Sequence, residues 1–246
     1  MKVCGIFVLR PQCFPVTDAT TAKPAPLLDR ISDFQAYVAP MAIFMAFTLI
    51  GGYWPSIYPW TYLLKTVLVP AAMWLLWPRY TPIRWDYWWL GILVGVIGIF
   101  QWVGMQLFLQ QFPFFEPPPN AFDPMAHFQN HEGMRWAFIG VRTAGAVLVV
   151  PLMEELFWRD FLWRSIISED FKRIGIGAWK WTAFLGVAIA FSLVHGNWWL
   201  TSIVWALMIG ILLIKTRSLG ACIVAHATTN LLLAAYVVNS HQWYFW

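Results

Sequence analysis

The sequence predicts an all-α fold, a polytopic helical bundle integral to a membrane with about seven transmembrane helices. Three observations carry this. Of 246 residues, 60% are hydrophobic and only 11% are charged, against roughly 25% charged in soluble domains. The apolar residues fall into seven runs, each near the roughly 20 residues that one spanning helix needs. The aromatics, 18 tryptophans among them, crowd the ends of those runs, as the belts at membrane interfaces do.

Taken in order, residues 1–35 form a polar, Pro- and Thr-containing lead (Val16 to Pro24), expected to be cytoplasmic. Its start is cut by Arg10 and Pro11 and carries no Ala-x-Ala, so it does not read as a signal peptide. Residues 36–246 then form a single transmembrane domain, with apolar runs at 36–54, 60–78, 87–109, 136–158, 179–195, 198–214 and 219–238. Trp54 and Trp60, Trp74 and Trp77, Trp85 to Trp89, Trp179 and Trp181, Trp198 and Trp199, and Trp243 to Trp246 mark the run ends.

The loop 110–135, the longest, holds Glu116-Pro117-Pro118-Pro119-Asn120 and reads as a Pro-stiffened connector. His127 and His131 share helical spacing beside Glu132, but a third ligand to frame a metal is missing.

The net charge of +4 comes from basic residues scattered singly at run ends, which is a topology signal and excludes nucleic acid as a partner. The lead and the second, fourth and sixth loops hold thirteen Lys and Arg, whereas the other loops and the tail hold only Arg135. The positive-inside rule therefore predicts a cytoplasmic N-terminus and an outer C-terminus in a cell inner membrane. Cys4, Cys13 and Cys222 lack the spacing of a metal site or of a disulfide framework.

Several polar groups fall inside these runs. Glu154 and Glu155 interrupt the apolar stretch from Ala144 to Phe157, and Arg159 follows. Such groups cost ~2.5–3.5 kcal/mol each at membrane depth, so they mark function by default. Glu155 and Arg159, four apart, share a helix face and read as a supporting ion pair, whereas Glu154 is turned about 100 degrees away. That leaves Glu154 free to face a cavity and move protons. His195 follows Phe191 by four residues, so its ring is expected to rest on the phenyl; His226 and Asn230 are one turn apart on the last run. Two chemistries fit this set. His226 and Asn230 suit the stabilisation of an oxyanion, and Glu154, His195 and His226 are also zinc-ligand types. Lys65 and Arg142 are lesser anomalies near span ends, expected to snorkel toward the interface, with Arg142 also placed to add a counter-charge.

Depth poses a problem for this set. A fourth span starting at Trp136 puts Glu154 about 27 Å along it, near the cytoplasmic end, while His195 closes the next span near the other end. A span slid toward 145–165 on a long helix, with Pro151 as a kink, reconciles them.

In order, Glu154-Glu155-x-x-x-Arg159, Phe191-x-x-x-His195 and His226-x-x-x-Asn230 resemble the three motifs of the type II CAAX prenyl endopeptidase and bacteriocin-processing (CPBP, or Abi) family of intramembrane proteases. The motif-bearing core is 136–238, and the run Tyr58 to Thr66 resembles a bacterial, exosortase-associated subgroup. The resemblance implies that Glu154 activates water with His195, that His226 and Asn230 steady the oxyanion, and that Glu155 and Arg159 support them. The implied substrate is a membrane-associated peptide or protein, with membrane lipids as surroundings. No cofactor is expected, because Asn230 is a poor zinc ligand and a good hydrogen-bond donor; zinc on Glu154, His195 and His226 is the alternative. Asp160 stands where the family commonly has glycine. The rival to a protease is a non-enzymatic scaffold or immunity protein, or a small proton-coupled transporter.

Overall fold

Ser32 caps the first helix by accepting a hydrogen bond from Gln35 N, while the Gln35 side chain accepts one from Ser32 N. This reciprocal box satisfies two donors that a helix start leaves free. Helix α1 (Asp33–Tyr53) follows, then α2 (Tyr58–Leu76), α3 (Trp88–Leu109) and α4 (Glu132–Ile167). The second half holds α5 (Trp181–Leu193), α6 (Trp199–Thr216) and α7 (Leu219–Ser240). The computed structural model describes residues 30–118 and 121–246, of which 32–246 form one unit. Most of the expected lead 1–35, with Cys4 and Cys13, lies outside the described residues, and α1 begins at Asp33, slightly before the expected boundary.

Among the described residues there is no strand, and six helices are long and apolar enough to cross a membrane. The chain is a multi-pass membrane protein. Outward apolar side chains such as Leu49, Trp74 and Phe100 remain exposed, as lipid-facing groups do. The run expected at 179–195 folds as α5, a helix of only 13 residues, about 20 Å long at 1.5 Å per residue and short of a ~30 Å hydrocarbon core. The run expected at 136–158 instead grows into the 36 residues of α4. That added length carries Glu154 to the interior of the helix and removes the depth conflict.

Two features of the chain shape α4. Pro151 has no N–H to donate, and both Gly145–Val149 and Leu156–Leu162 are wound as π-helix, so the pair Glu154-Glu155 lies on a short α-helical stretch between two wide turns. Such π segments recur at functional sites. Helix α7 is set by its closest neighbour, α3. Gly91 and Gly95 let the two backbones meet, since a Cβ at Gly95 would fall 2.6 Å from the Ala225 carbonyl oxygen. Thr229 Oγ1 then donates to the Gly95 carbonyl at 3.1 Å. Together these contacts fix the rotation of α7, and with it the aim of His226 and Asn230.

Asp160 and Arg164 are fully or nearly fully buried and paired with each other. Tyr37 Oη of α1 donates to Asp160 Oδ2 at 2.8 Å, and Thr81 Oγ1 donates to Asp160 Oδ1 at 3.2 Å. Arg164 also reaches the Ile174 carbonyl at 3.0 Å. The Asp160 carboxylate therefore ties α1, the α2–α3 connection and α4 together.

Candidate active site

Glu154 of α4, His195 at the end of α5, and His226 and Asn230 of α7 line one cavity of about 120 Å³, together with Trp102, Phe191, Trp205 and Thr229. Chain segments far apart in sequence thus converge on one spot. Glu154 is 6% exposed, and its Oε2 is buried with no hydrogen-bond partner. Glu154 lines the cavity and has no ion-pair partner among the described residues, so its carboxylate is available for a proton or a water.

Glu155 and Arg159 have no measurable exposure, and Arg159 Nη1 lies 3.2 Å from Glu155 Oε1. The ion pair expected from the spacing is present, with an addition: the same Oε1 lies 2.8 Å from His226 Nδ1. A carboxylate only accepts, so Nδ1 carries the proton and the neutral ring presents its Nε2 lone pair. Protonated at Nε2 as well, the ring becomes a donor whose charge Glu155 balances. Arg159 is also held over the rings of Phe191 and Trp205, at 4.9 and 5.4 Å.

The second imidazole is braced the same way. His195 Nδ1 lies 2.7 Å from the Phe191 carbonyl oxygen, which fixes the proton on Nδ1, and its ring stacks on Phe191 at 4.2 Å between centroids. The expected phenyl contact is there. Nε2 is again the free nitrogen.

Asn230 Nδ2 donates to the Ala146 carbonyl at 2.7 Å, and the cause lies in α4. Within the π segment Val150 N–H bonds Gly145 O, five residues back; the next donor in that register would be residue 151, which is proline. Ala146 O is left without a backbone partner, and Asn230 fills the gap. This orients the amide while leaving its second N–H and its oxygen for a ligand. Trp102 Nε1, from a residue that lines the cavity, is also buried and unpaired.

No three His, Cys, Asp or Glu side chains among the described residues gather into a metal-holding group, so Glu154, His195 and His226 do not present the alternative zinc set ready-made. His127, His131 and Glu132 likewise form no such group.

A second space, about 460 Å³, shares Trp102, Val150, Glu154, His195, Asn230 and Leu233 with the first and extends between α1 and α2. It shares Gly52, Tyr58 and Trp246 in turn with a cavity of about 760 Å³ under the loop around Phe122, Asp123 and His127. The vestibule also holds Lys65 and Arg142. Neither snorkels, contrary to expectation: they are 6% and 5% exposed and turn inward. Trp102 and Trp205 were not legible as cavity residues, because tryptophan in an apolar run reads equally as belt or packing.

Residues 135–232 match the family model described as Type II CAAX prenyl endopeptidase Rce1-like, a family of proteases, and this segment holds all three motifs. Comparison with the curated proteins and with the solved structures finds no match.

Proposed function

We propose that this member of the CPBP family, assigned through its Rce1-like segment, is an intramembrane endopeptidase that hydrolyses a peptide bond of a membrane-associated substrate. The observation that carries the reading is the buried, unpartnered Oε2 of Glu154 in a residue lining the same cavity as His195, His226 and Asn230. A scaffold would have little reason to gather a carboxylate, two imidazoles and an amide around one cavity inside an apolar bundle, where such groups are costly.

In the proposed reaction, water entering through the vestibule is held between Glu154 and His195 Nε2. Glu154 takes one proton as the water oxygen bonds to the peptide carbonyl carbon. The oxyanion that forms is met by the imidazolium Nε2–H of His226, balanced by Glu155, and by the second N–H of Asn230. Such fixed donors act where charge develops in the transition state and need no rearrangement there. The C–N bond then breaks, and Glu154 returns its proton to the leaving nitrogen, so one water is consumed and a carboxylic acid and an amine are produced. Zinc is not needed for this sequence; loss of activity on chelation, restored by zinc, would replace it.

The membrane is proposed to be a bacterial inner membrane, with the N-terminus inside. In that orientation the vestibule opens outward, because the α1–α2 turn, the loop around Phe122, the His195 segment and the tail all bound it. The test is terminus profiling by mass spectrometry on host membranes that carry the wild-type protein or one of two variants. Glu154→Gln and His226→Ala should each abolish a set of new peptide ends while membrane yield and helical content stay unchanged. Unaltered ends in either variant would end the proteolytic reading.

A further inference from the structure

At the end of the bundle away from the vestibule mouth, a cavity of about 400 Å³ lies where the α2–α3 connection, the α4–α5 connection and the α6–α7 turn meet. Its charged lining is Arg84 and Arg217, and no Asp or Glu lines it. Arg84 is paired with Asp86 at 2.7 Å, but both side chains are more than half exposed, and such a surface pair contributes little and exchanges readily. Arg217 makes no ion pair among the described residues.

The backbone around Arg217 is unusual. The residue ends α6 with φ at 50°, a left-handed conformation that glycine commonly supplies at this place. Gly177 of the α4–α5 connection closes on the same turn: a Cβ there would fall 2.5 Å from the Leu213 carbonyl oxygen and 3.4 Å from Arg217 Cα. A strained residue clamped beside a cavity points to a use for its side chain. The depth of the cavity narrows that use. Trp85 follows Arg84, Trp179 follows the lining residue Ala178, and both indoles, with Trp181, are more than half exposed. Such rings settle at the level of lipid headgroups.

We propose that this cavity binds the phosphate of an anionic phospholipid headgroup, held by Arg84 and Arg217. Guanidinium groups suit phosphate because two parallel N–H donors meet two oxygens, and basic pockets between spanning helices take headgroups in this way. The site stands apart from the hydrolase reading, since none of its lining residues lines the cavity around Glu154. Thr81 links it to α4, as it lines the cavity and also bonds Asp160 and Arg164. A bound headgroup joins the three connections and should therefore raise the unfolding temperature.

The test is equilibrium binding to the full chain in dodecyl maltoside, with tritiated dioleoyl phosphatidylglycerol or dioleoyl phosphatidylcholine added to the micelles. Wild type should bind phosphatidylglycerol at least about fivefold tighter, the worth of one basic residue near an anionic surface, and should unfold at a higher temperature with it. Arg217→Gly is the sharpest variant, because glycine fits the left-handed turn and only the guanidinium is lost. It should be no less stable than wild type in phosphatidylcholine, yet lose the preference. Arg84→Gln should lose most of it, and Arg217→Lys should keep part. Lys180→Gln, an exposed base outside the cavity lining, should keep all of it. Equal binding of the two lipids to wild type overturns the proposal, as does a preference that survives both Arg217→Gly and Arg84→Gln. An equal loss in Lys180→Gln would also overturn it, by showing a diffuse field in place of a site. Excess inorganic phosphate at matched ionic strength should leave the lipid bound; displacement would assign the cavity to a soluble anion and end the lipid reading.

Discussion

Glu155 holds Arg159 and His226 on a single oxygen, so its removal should act through the histidine. Glu155→Gln keeps the volume but loses the charge that balances a protonated His226; kcat should fall by ~10²–10⁴, the usual worth of a positioned acid–base group, while KM changes little. A parallel fall in substrate binding would mean that the residue merely packs. Asp160 makes the contrasting case. Its contacts with Tyr37, Thr81 and Arg164 are all remote from the cavity, so Asp160→Ala should cost about 3–5 kcal/mol of stability by leaving Arg164 buried and unpaired. Thermal unfolding should reveal this, with activity per folded molecule preserved. The pairing of Glu155 with Arg159 was legible from their spacing of four. The contact of Glu155 with His226 was not, because it joins residues 71 apart in sequence across two helices. Asp160 was noticed only as a departure from a familial glycine, its partners being supplied by α1 and the α2–α3 connection.

Helix α4 shows how backbone chemistry prepares a side chain. Pro151 leaves Ala146 O without a donor, and Asn230 supplies one. Pro151→Ala restores an N–H that competes for that carbonyl. The variant should be at least as stable as wild type, since proline inside a helix costs ~3 kcal/mol, yet its kcat should drop as Asn230 loses its fixed orientation. Unchanged kcat would remove Asn230's geometry from the account. The α3–α7 contact is the second determinant. Gly95→Val would drive a side chain into Ala225 O and Thr228, an overpacking expected to cost about 1–3 kcal/mol and to reduce activity with stability. Proline in the run pointed to a kink, but π winding leaves no mark in hydropathy, and the reach of α4 to Ile167 was hidden by the charges at Arg159, Asp160 and Arg164. Apolar length alone therefore ended the helix too early and made α5 too long.

At the scale of the molecule, composition was enough to establish a multi-pass helical bundle, because 60% hydrophobic residues leave few other solutions for the backbone polar groups. Hydropathy has no term for cavities, so a water path to the site was expected from the chemistry but its lining was not legible, and Lys65 and Arg142 looked like residues reaching for the interface. Their inward turn, the carboxylate of Glu154 and the linked spaces between α1, α2 and α7 support the proposed account, in which water and substrate reach a buried carboxylate. The most direct test is thiol labelling of Glu154→Cys in whole cells, with Cys4, Cys13 and Cys222 replaced and Val187→Cys as a buried control. A small, charged, membrane-impermeant reagent added outside should modify position 154 readily and leave position 187 unreacted. If the thiol introduced at position 154 stays as unreactive as the one at position 187, while a cysteine placed in the C-terminal tail labels fully, water does not reach the acid and the proposed hydrolysis cannot occur there.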